Sequence, residues 1–225
     1  VVTAGFAEDA DVRGTDVRVE GASTRFTVSG PGLAPTEVVL AVPGRHYAAD
    51  ALLALATGLE LGHDAAGLVA GLAGYTGAAR RMEPKGEAAG VRVVDSYAHH
   101  PTEIAADLAA GRALAGEGRL VVVFQPHLVS RTRIFGAQMG RELAAADLVV
   151  VADLYLAREA PDPDVTSALV LETAGPDAIG GGAVGDVPSV VAPLLQPGDL
   201  VLTLGAGDVT TVGPALLALL RETAG

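Results

Sequence analysis

The sequence predicts an α/β chain: a mainly parallel sheet covered by helices, preceded by a smaller β-rich and helical stretch. Two observations lead there. Compact β-branched runs at Val91–Val94, Leu120–Phe124, Leu148–Val151 and Asp199–Leu204 alternate with segments of helical spacing, the pattern of parallel strands covered on both faces. The polar clusters then fall directly after Val94, Phe124, Val151 and Leu204, at the strand ends where an open parallel sheet gathers its ligands.

The elements follow in chain order. Val1–Ala4 reads as a strand. Val17, Val19, Phe26 and Val28 lie in short, roughly alternating runs broken by Gly21 and by Gly30-Pro31-Gly32, and Val38–Val42 is a further apolar run, so hairpins are expected. Gly44-Arg45-His46-Tyr47 leads into a helix on which Ala51, Leu52, Leu55 and Leu59 recur at helical spacing; a second short helix carries Leu68 and Leu72. This opening region lacks the parts of a complete two-layer domain and reads as the end of a longer one. Beyond Gly77 the character changes. The Val91 run ends at Asp95, and Pro101-Thr102-Glu103 opens a helix with Ile104 and Leu108 on one face. After the Leu120 strand a helix is expected over Arg133–Leu143, where Phe135, Met139 and Leu143 share a side. The Leu148 strand, a loop rich in proline and aspartate, further helical and strand segments, the Asp199 strand, Gly205-Ala206-Gly207 and a final helix complete the chain.

Composition narrows the function. With 225 residues, 50% hydrophobic and 19% charged, the chain can bury a core and is not expected to be disordered. A formal net charge of −12 argues against a nucleic-acid backbone as partner, which needs clustered Lys and Arg. An anionic nucleotide needs only backbone N–H groups and one or two arginines. The lack of cysteine excludes disulfides, thiolate catalysis and a cysteine-based zinc site. Lys85, the only lysine, lies in no Gly-x-x-x-x-Gly-Lys phosphate loop. With no signal peptide and no apolar run long enough to span a bilayer, a cytoplasmic protein without a membrane partner is expected.

Each polar cluster has two readings. In Asp95-Ser96-Tyr97-Ala98-His99-His100-Pro101-Thr102-Glu103, Asp95 can orient a ribose or an imidazole, Tyr97 can stack on a base, and His99 and His100 can donate to phosphate or carboxylate. Alternatively the segment is a solvated turn with Asp95 and Thr102 as helix caps. His99 and His100 can also coordinate a metal, but two adjacent histidines without a third ligand nearby point to one only weakly, and no metal site is expected. His127, Ser130, Arg131 and Arg133 can form an anion-binding loop in which an arginine fork meets a carboxylate, or the arginines are merely solvated near a helix start that disfavours their charge. Gly205-Ala206-Gly207-Asp208 can hold an anion on exposed N–H groups or be a plain turn. Arg80 and Arg81 lie at the regional boundary, facing a phosphate or solvent. His46 and Asp50, one helical turn apart, can share a ligand or pair locally.

Taken in order, Pro43-Gly44-Arg45-His46, Arg80-Arg81, Asp95–Glu103, Phe124–Thr132, Asp153–Pro161, Pro197–Leu200 and Gly205–Thr210 resemble the signature segments of the Mur ligases of peptidoglycan precursor synthesis. Gln125-Pro126-His127 with Ser130-Arg131-Thr132 is similar to the loop of the alanine-adding member. The resemblance implies that residues 1–79 are the last part of a central ATP-binding domain and residues 80–225 a Rossmann-like C-terminal domain that brings the amino acid. It implies an ATP- and magnesium-dependent ligase joining L-alanine to UDP-N-acetylmuramic acid, with the phosphate loop and the central metal ligands outside this chain. It places His46, Asp50, Arg81, Asp95 and Tyr97 at the nucleotide, Arg81 (ahead of Arg80) at its phosphates, and His99, His100, His127, Ser130 and Arg131 at the other substrates. Arg81, His127 and Arg131 are the residues it implies for catalysis, with Arg131 on the alanine carboxylate. Tyr47 and Asp50 stand where the family commonly has asparagine, and Leu128 and Val129 where it has arginine and tyrosine.

On this reading the chain alone does not catalyse ligation. The alternatives are a standalone nucleotide- or amino-acid-binding module, and a structural half that assembles with a separate N-terminal half.

Overall fold

The structure, a computed structural model, describes residues 1–223. The chain divides into two compact units, Val1–Gly77 and Ala78–Gly225.

The first unit pairs a four-stranded sheet with two helices. Strands β1 (Ala4–Gly5), β2 (Val12–Glu20), β3 (Ser23–Gly30) and β4 (Leu33–Leu40) lie in that order, β1 parallel to β2 and the others joined as antiparallel hairpins. The strand expected at Val1–Ala4 is confined to β1. Ahead of it, Thr3 donates its N–H and hydroxyl to the Asp11 carboxylate at 2.8 Å each, while its carbonyl accepts the Val12 N–H at 3.0 Å. Alternation along β3 buries Thr24, Phe26 and Val28. Helix α1 (Arg45–Glu60) lays Tyr47, Ala48, Ala51, Leu52 and Leu55 on Val12, Phe26, Val28, Val38 and Leu40, and α2 (Ala65–Ala73) follows, capped by Asp64. Burying a leucine such as Leu52 contributes roughly 1.5–3 kcal/mol.

In the second unit, β5 (Glu83–Ala88), β6 (Val91–Ser96), β7 (Leu120–Phe124), β8 (Leu148–Ala152), β9 (Ile179–Gly182) and β10 (Leu200–Leu204) form a sheet of order β5-β6-β10-β7-β8-β9. All neighbours are parallel except β5, which pairs antiparallel with β6. The sequence pattern missed β5 because Glu-Pro-Lys-Gly-Glu-Ala has no apolar alternation. Its hairpin rests on Ala89 and Gly90, both at positive φ (50° and 75°), as a tight two-residue turn requires.

Helices α3 (Pro101–Ala115), α4 (Val129–Leu143) and α5 (Ala168–Leu171) cover one face, packing Ile104, Leu108, Met139, Leu143 and Val170 on Val122, Phe124, Leu202 and Leu204. Helices α6 (Val187–Val191) and α7 (Val212–Thr223) cover the other, over Val93, Val121, Val123, Val150 and Val201. Strands β6 and β7 therefore lead to helices on one face, whereas β10, lying between them, leads to α7 on the opposite face. Connections that diverge in this way open a crevice at the carboxyl ends of the strands.

Candidate functional site

The floor of the crevice is a buried polar network. Asp95, at the end of β6, is fully buried; one carboxylate oxygen accepts the Thr203 hydroxyl at 2.7 Å, the other the Thr210 hydroxyl at 2.8 Å and Arg80 Nε at 3.1 Å. Both oxygens of this carboxylate therefore have partners inside the unit. Arg80 also donates to the Gly205 carbonyl at 2.6 Å and lies 4.9 Å from the Tyr97 ring centre, so it ties β6 to the turn after β10. Ser96, next along, donates to the buried Asp107 of α3. Arg81 differs from its neighbour: its side chain is 43% exposed, 3.9 Å from the Glu103 carboxylate and 6.0 Å from the Tyr97 ring centre.

The double histidine divides its work. His100 is the N-cap of α3: its Nδ1 accepts the Thr102 N–H, and Glu103 reaches back to the His100 N–H at 3.2 Å, completing a capping box. The cap expected at Thr102 therefore falls on His100. His99 turns the other way, with Nδ1 against the Tyr97 carbonyl at 2.8 Å and its ring edge-on to Tyr97 (5.2 Å) and to His127 (6.0 Å). Burial works against ionisation of Glu103, yet the His99 N–H and the charges of His99 and Arg81 hold its carboxyl below the ordinary value.

Across the crevice, α4 begins at Val129, not at Arg133, so Ser130, Arg131 and Thr132 occupy a helical first turn where a loop was expected. Arg131 Nη1 stands 3.4 Å from His127 Nδ1. A guanidinium only donates, so Nδ1 is the acceptor and the neutral ring carries its proton on Nε2. Burial, followed by the charges of Arg131 and His99, holds the His127 pKa below its ordinary value. The ring stacks on Tyr155 at 5.5 Å and 13°, and the strand-like contact beneath is completed by Leu128 N–H to Tyr155 O and Tyr155 N–H to Pro126 O, both 2.9 Å. Ser130 is engaged by Glu159 through its N–H (2.8 Å) and hydroxyl (2.6 Å).

Tyr97, His99, His127 and Tyr155 thus form a continuous row of rings along the strand ends, with Arg81 near one end and Arg131 near the other. The Gly205-Ala206-Gly207 turn is packed against this row. A Cβ on Gly205 would lie 2.7 Å from the Gln125 carbonyl, and one on Gly207 would lie 2.7 Å from Tyr155 Cγ. Close approach explains Gly207, and Gly205 adds to it a φ of 146° that disfavours any side chain. The buried Gln125 closes the turn, donating to Asp208 at 2.7 Å and accepting the Val209 N–H at 3.1 Å. Sequence reasoning missed Tyr155 and Glu159. Tyr155 does follow a strand end, which is a usable signal; nothing local marks Glu159.

His46 and Asp50 belong to the first unit. The His46 ring folds back beside Gly44 and lies 4.3 Å from the Tyr47 ring. Asp50 is exposed at the rim of a cavity of about 180 Å³ that Leu40, Tyr47, Leu72 and Tyr75 also line, an apolar slot with one carboxylate. Among the described residues, no group of three or more His, Cys, Asp or Glu converges to hold a metal ion.

The family described as Mur ligase, glutamate ligase domain, matches residues 80–207. The chain is 65% identical over 186 residues to a UDP-N-acetylmuramate–L-alanine ligase of Nocardioides sp., a match covering 81% of this chain and 42% of that protein. It is 53% identical over 225 residues to one of Streptomyces avermitilis, covering 99% and 48%. The chain spans about half the length of the curated relatives it matches. The crystal structure of the UDP-N-acetylmuramate–alanine ligase of Thermotoga maritima shares its fold, with a TM-score of 0.80 over 96% of this chain and 47% of that one at 23% identity. Because the family match takes in more than half of its residues, this chain belongs to the Mur ligase family.

Proposed function

We propose that this chain is part of an ATP-dependent ligase that forms the amide bond between L-alanine and UDP-N-acetylmuramic acid. Residues 1–79 would belong to its ATP-binding domain and residues 80–225 to the domain that presents the amino acid. The observation that carries the reading is Arg131 paired with His127 at the mouth of the crevice, in a chain with 65% identity to a protein of that name.

The chemistry asks for two things. The muramyl carboxylate is activated by taking the γ-phosphoryl group of ATP, which leaves ADP and an acyl phosphate. The deprotonated amine of alanine then attacks the acyl carbon, and phosphate departs from the tetrahedral intermediate. Positioning dominates the second step, because amine and acyl carbon must meet in a dry, oriented arrangement. Arg131 offers its fork to the alanine carboxylate. His127, kept neutral by burial and by Arg131, adds an Nε2–H donor without adding a charge that repels the ammonium group before it loses its proton. Tyr97 presents a ring face to the nucleotide base, and Arg81 a guanidinium to its phosphates. Within the first unit, His46 and Asp50 are the residues proposed to contact the nucleotide. Asp95 acts from beneath, through Arg80 and Thr210. Magnesium belongs to the reaction so proposed, but the described residues supply no cluster that fits it.

The test has two arms. L-alanine titrated into the labelled chain is expected to move the His127 and Arg131 NMR signals, and Arg131→Ala to weaken that binding at least about tenfold, or ~1.4 kcal/mol. An unmoved pair would remove alanine from the reading. Supplied with ATP, magnesium, L-alanine and UDP-N-acetylmuramic acid, the chain alone is expected to release no phosphate above blank. Release that needs both acceptor substrates would mean that it is a whole catalyst.

A further inference from the structure

The helix that carries Arg131 begins without a cap of its own. Leu128 stands at the N-cap with φ 72° and makes no side-chain hydrogen bond there. First-turn N–H groups need acceptors from elsewhere when the cap supplies none. Here the acceptor comes from 29 residues downstream: Glu159, in the loop after β8, takes both the N–H and the hydroxyl of Ser130. A carboxylate at this end of a helix meets the positive end of the dipole as well as the N–H groups. The hydrogen bonds from the Ser130 hydroxyl and N–H hold the Glu159 carboxyl below its ordinary value. The same loop is fastened at two further points, by the Tyr155 backbone bonds on either side of His127 and by an Arg133–Asp162 ion pair.

We infer that Glu159 is a positioning residue for the amino-acid site: its carboxylate fixes the first turn of α4 and thereby sets where Arg131 and His127 stand. This rests on the alanine reading above. Arg131 follows Ser130 directly, and each residue of a helix turns the side-chain direction by about 100°. Unwinding of the first turn of α4, which contains Arg131, would therefore swing the guanidinium away from His127 and from the crevice. Because the clamp joins the loop after β8 to the helix after β7, it also holds Tyr155 under the His127 ring. Around that ring stand the charged groups of Arg131, His99, Arg158 and Glu159, of which only Glu159 favours its protonated form.

The experiment compares the wild-type chain with Glu159→Ala and Glu159→Gln, first without ligand and then with L-alanine. Without ligand, NMR titration of the His127 ring should show a lower midpoint in both variants, since each removes the same negative charge. Glutamine keeps an oxygen for Ser130, so the Arg131 side-chain signal should move in Glu159→Ala and stay near its wild-type position in Glu159→Gln. With L-alanine, Glu159→Ala should bind about fivefold more weakly, the effect of a lost helix cap, and Glu159→Gln should recover most of that loss. The inference is overturned if Glu159→Ala leaves the Arg131 signal and the alanine affinity unchanged. If the wild type itself ignores L-alanine, the alanine reading fails, while the ligand-free shifts of Arg131 and His127 still decide whether Glu159 positions them.

Discussion

Among the titratable residues of the crevice, His127 has the surroundings with the clearest consequence for stability. Burial, Arg131 and His99 hold its folded pKa below the unfolded value near 6.5, so the native state binds fewer protons than the unfolded chain wherever the two differ. The stabilisation is therefore present above about pH 6.5 and is lost as pH falls through the folded value. Urea unfolding of the second unit, followed from about pH 7.5 down to about pH 5.5, is expected to show a falling midpoint, and His127→Gln is expected to flatten part of that slope. An identical slope in the variant would assign the loss to other groups. Glu103 belongs to a lower window: its folded carboxyl lies below the ordinary value, so its contribution disappears only under more acid conditions.

At the scale of elements, the turn after β10 decides whether the row of rings can form. Gly207 has an ordinary φ of −91°, so the demand at this position is space: an added Cβ would strike both Gln125 Oε1 and the Tyr155 ring. Gly207→Ala is expected to destabilise the second unit by about 1–3 kcal/mol as an overpacking change and to erase the ring-current effect of Tyr155 on His127, both readable in one NMR melting series. How much of this was legible in the sequence follows from what each element rests on. The buried strands of the second unit announce themselves through Val-rich runs, and the polar residues after them mark the crevice, because burial on both faces and ligand placement leave local traces. Strand β5 leaves none, since a polar edge strand is held by its hairpin and its neighbour's ladder. The start of α4 was read four residues late because its cap lies far along the chain, in Glu159. Thr102 is the eligible cap by type, and only the fold shows that His100 is used instead. The internal partners of Asp95 are illegible in the sequence, because Thr203 and Thr210 reach it from more than a hundred residues away.

At the scale of the molecule, each unit has a core of its own: the first packs α1 on its sheet, and the second packs helices on both faces of another. Leu52→Ala, in the first core, is expected to cost that unit about 2–5 kcal/mol while leaving the amide-exchange protection of β7 and β10 unchanged. Equal loss in both would mean that they unfold together. The second sheet has a further property, fixed by its strand order. Its last strand in the chain, β10, is also a central one, between β6 and β7. During synthesis those two strands emerge with bare facing edges, and they keep them until β10 itself has been made. A message that stops short of Leu200 would yield a polypeptide that holds Asp95, Tyr97, His99, His127 and Arg131, with no crevice between them. Its two open edges would be free to pair with other chains instead.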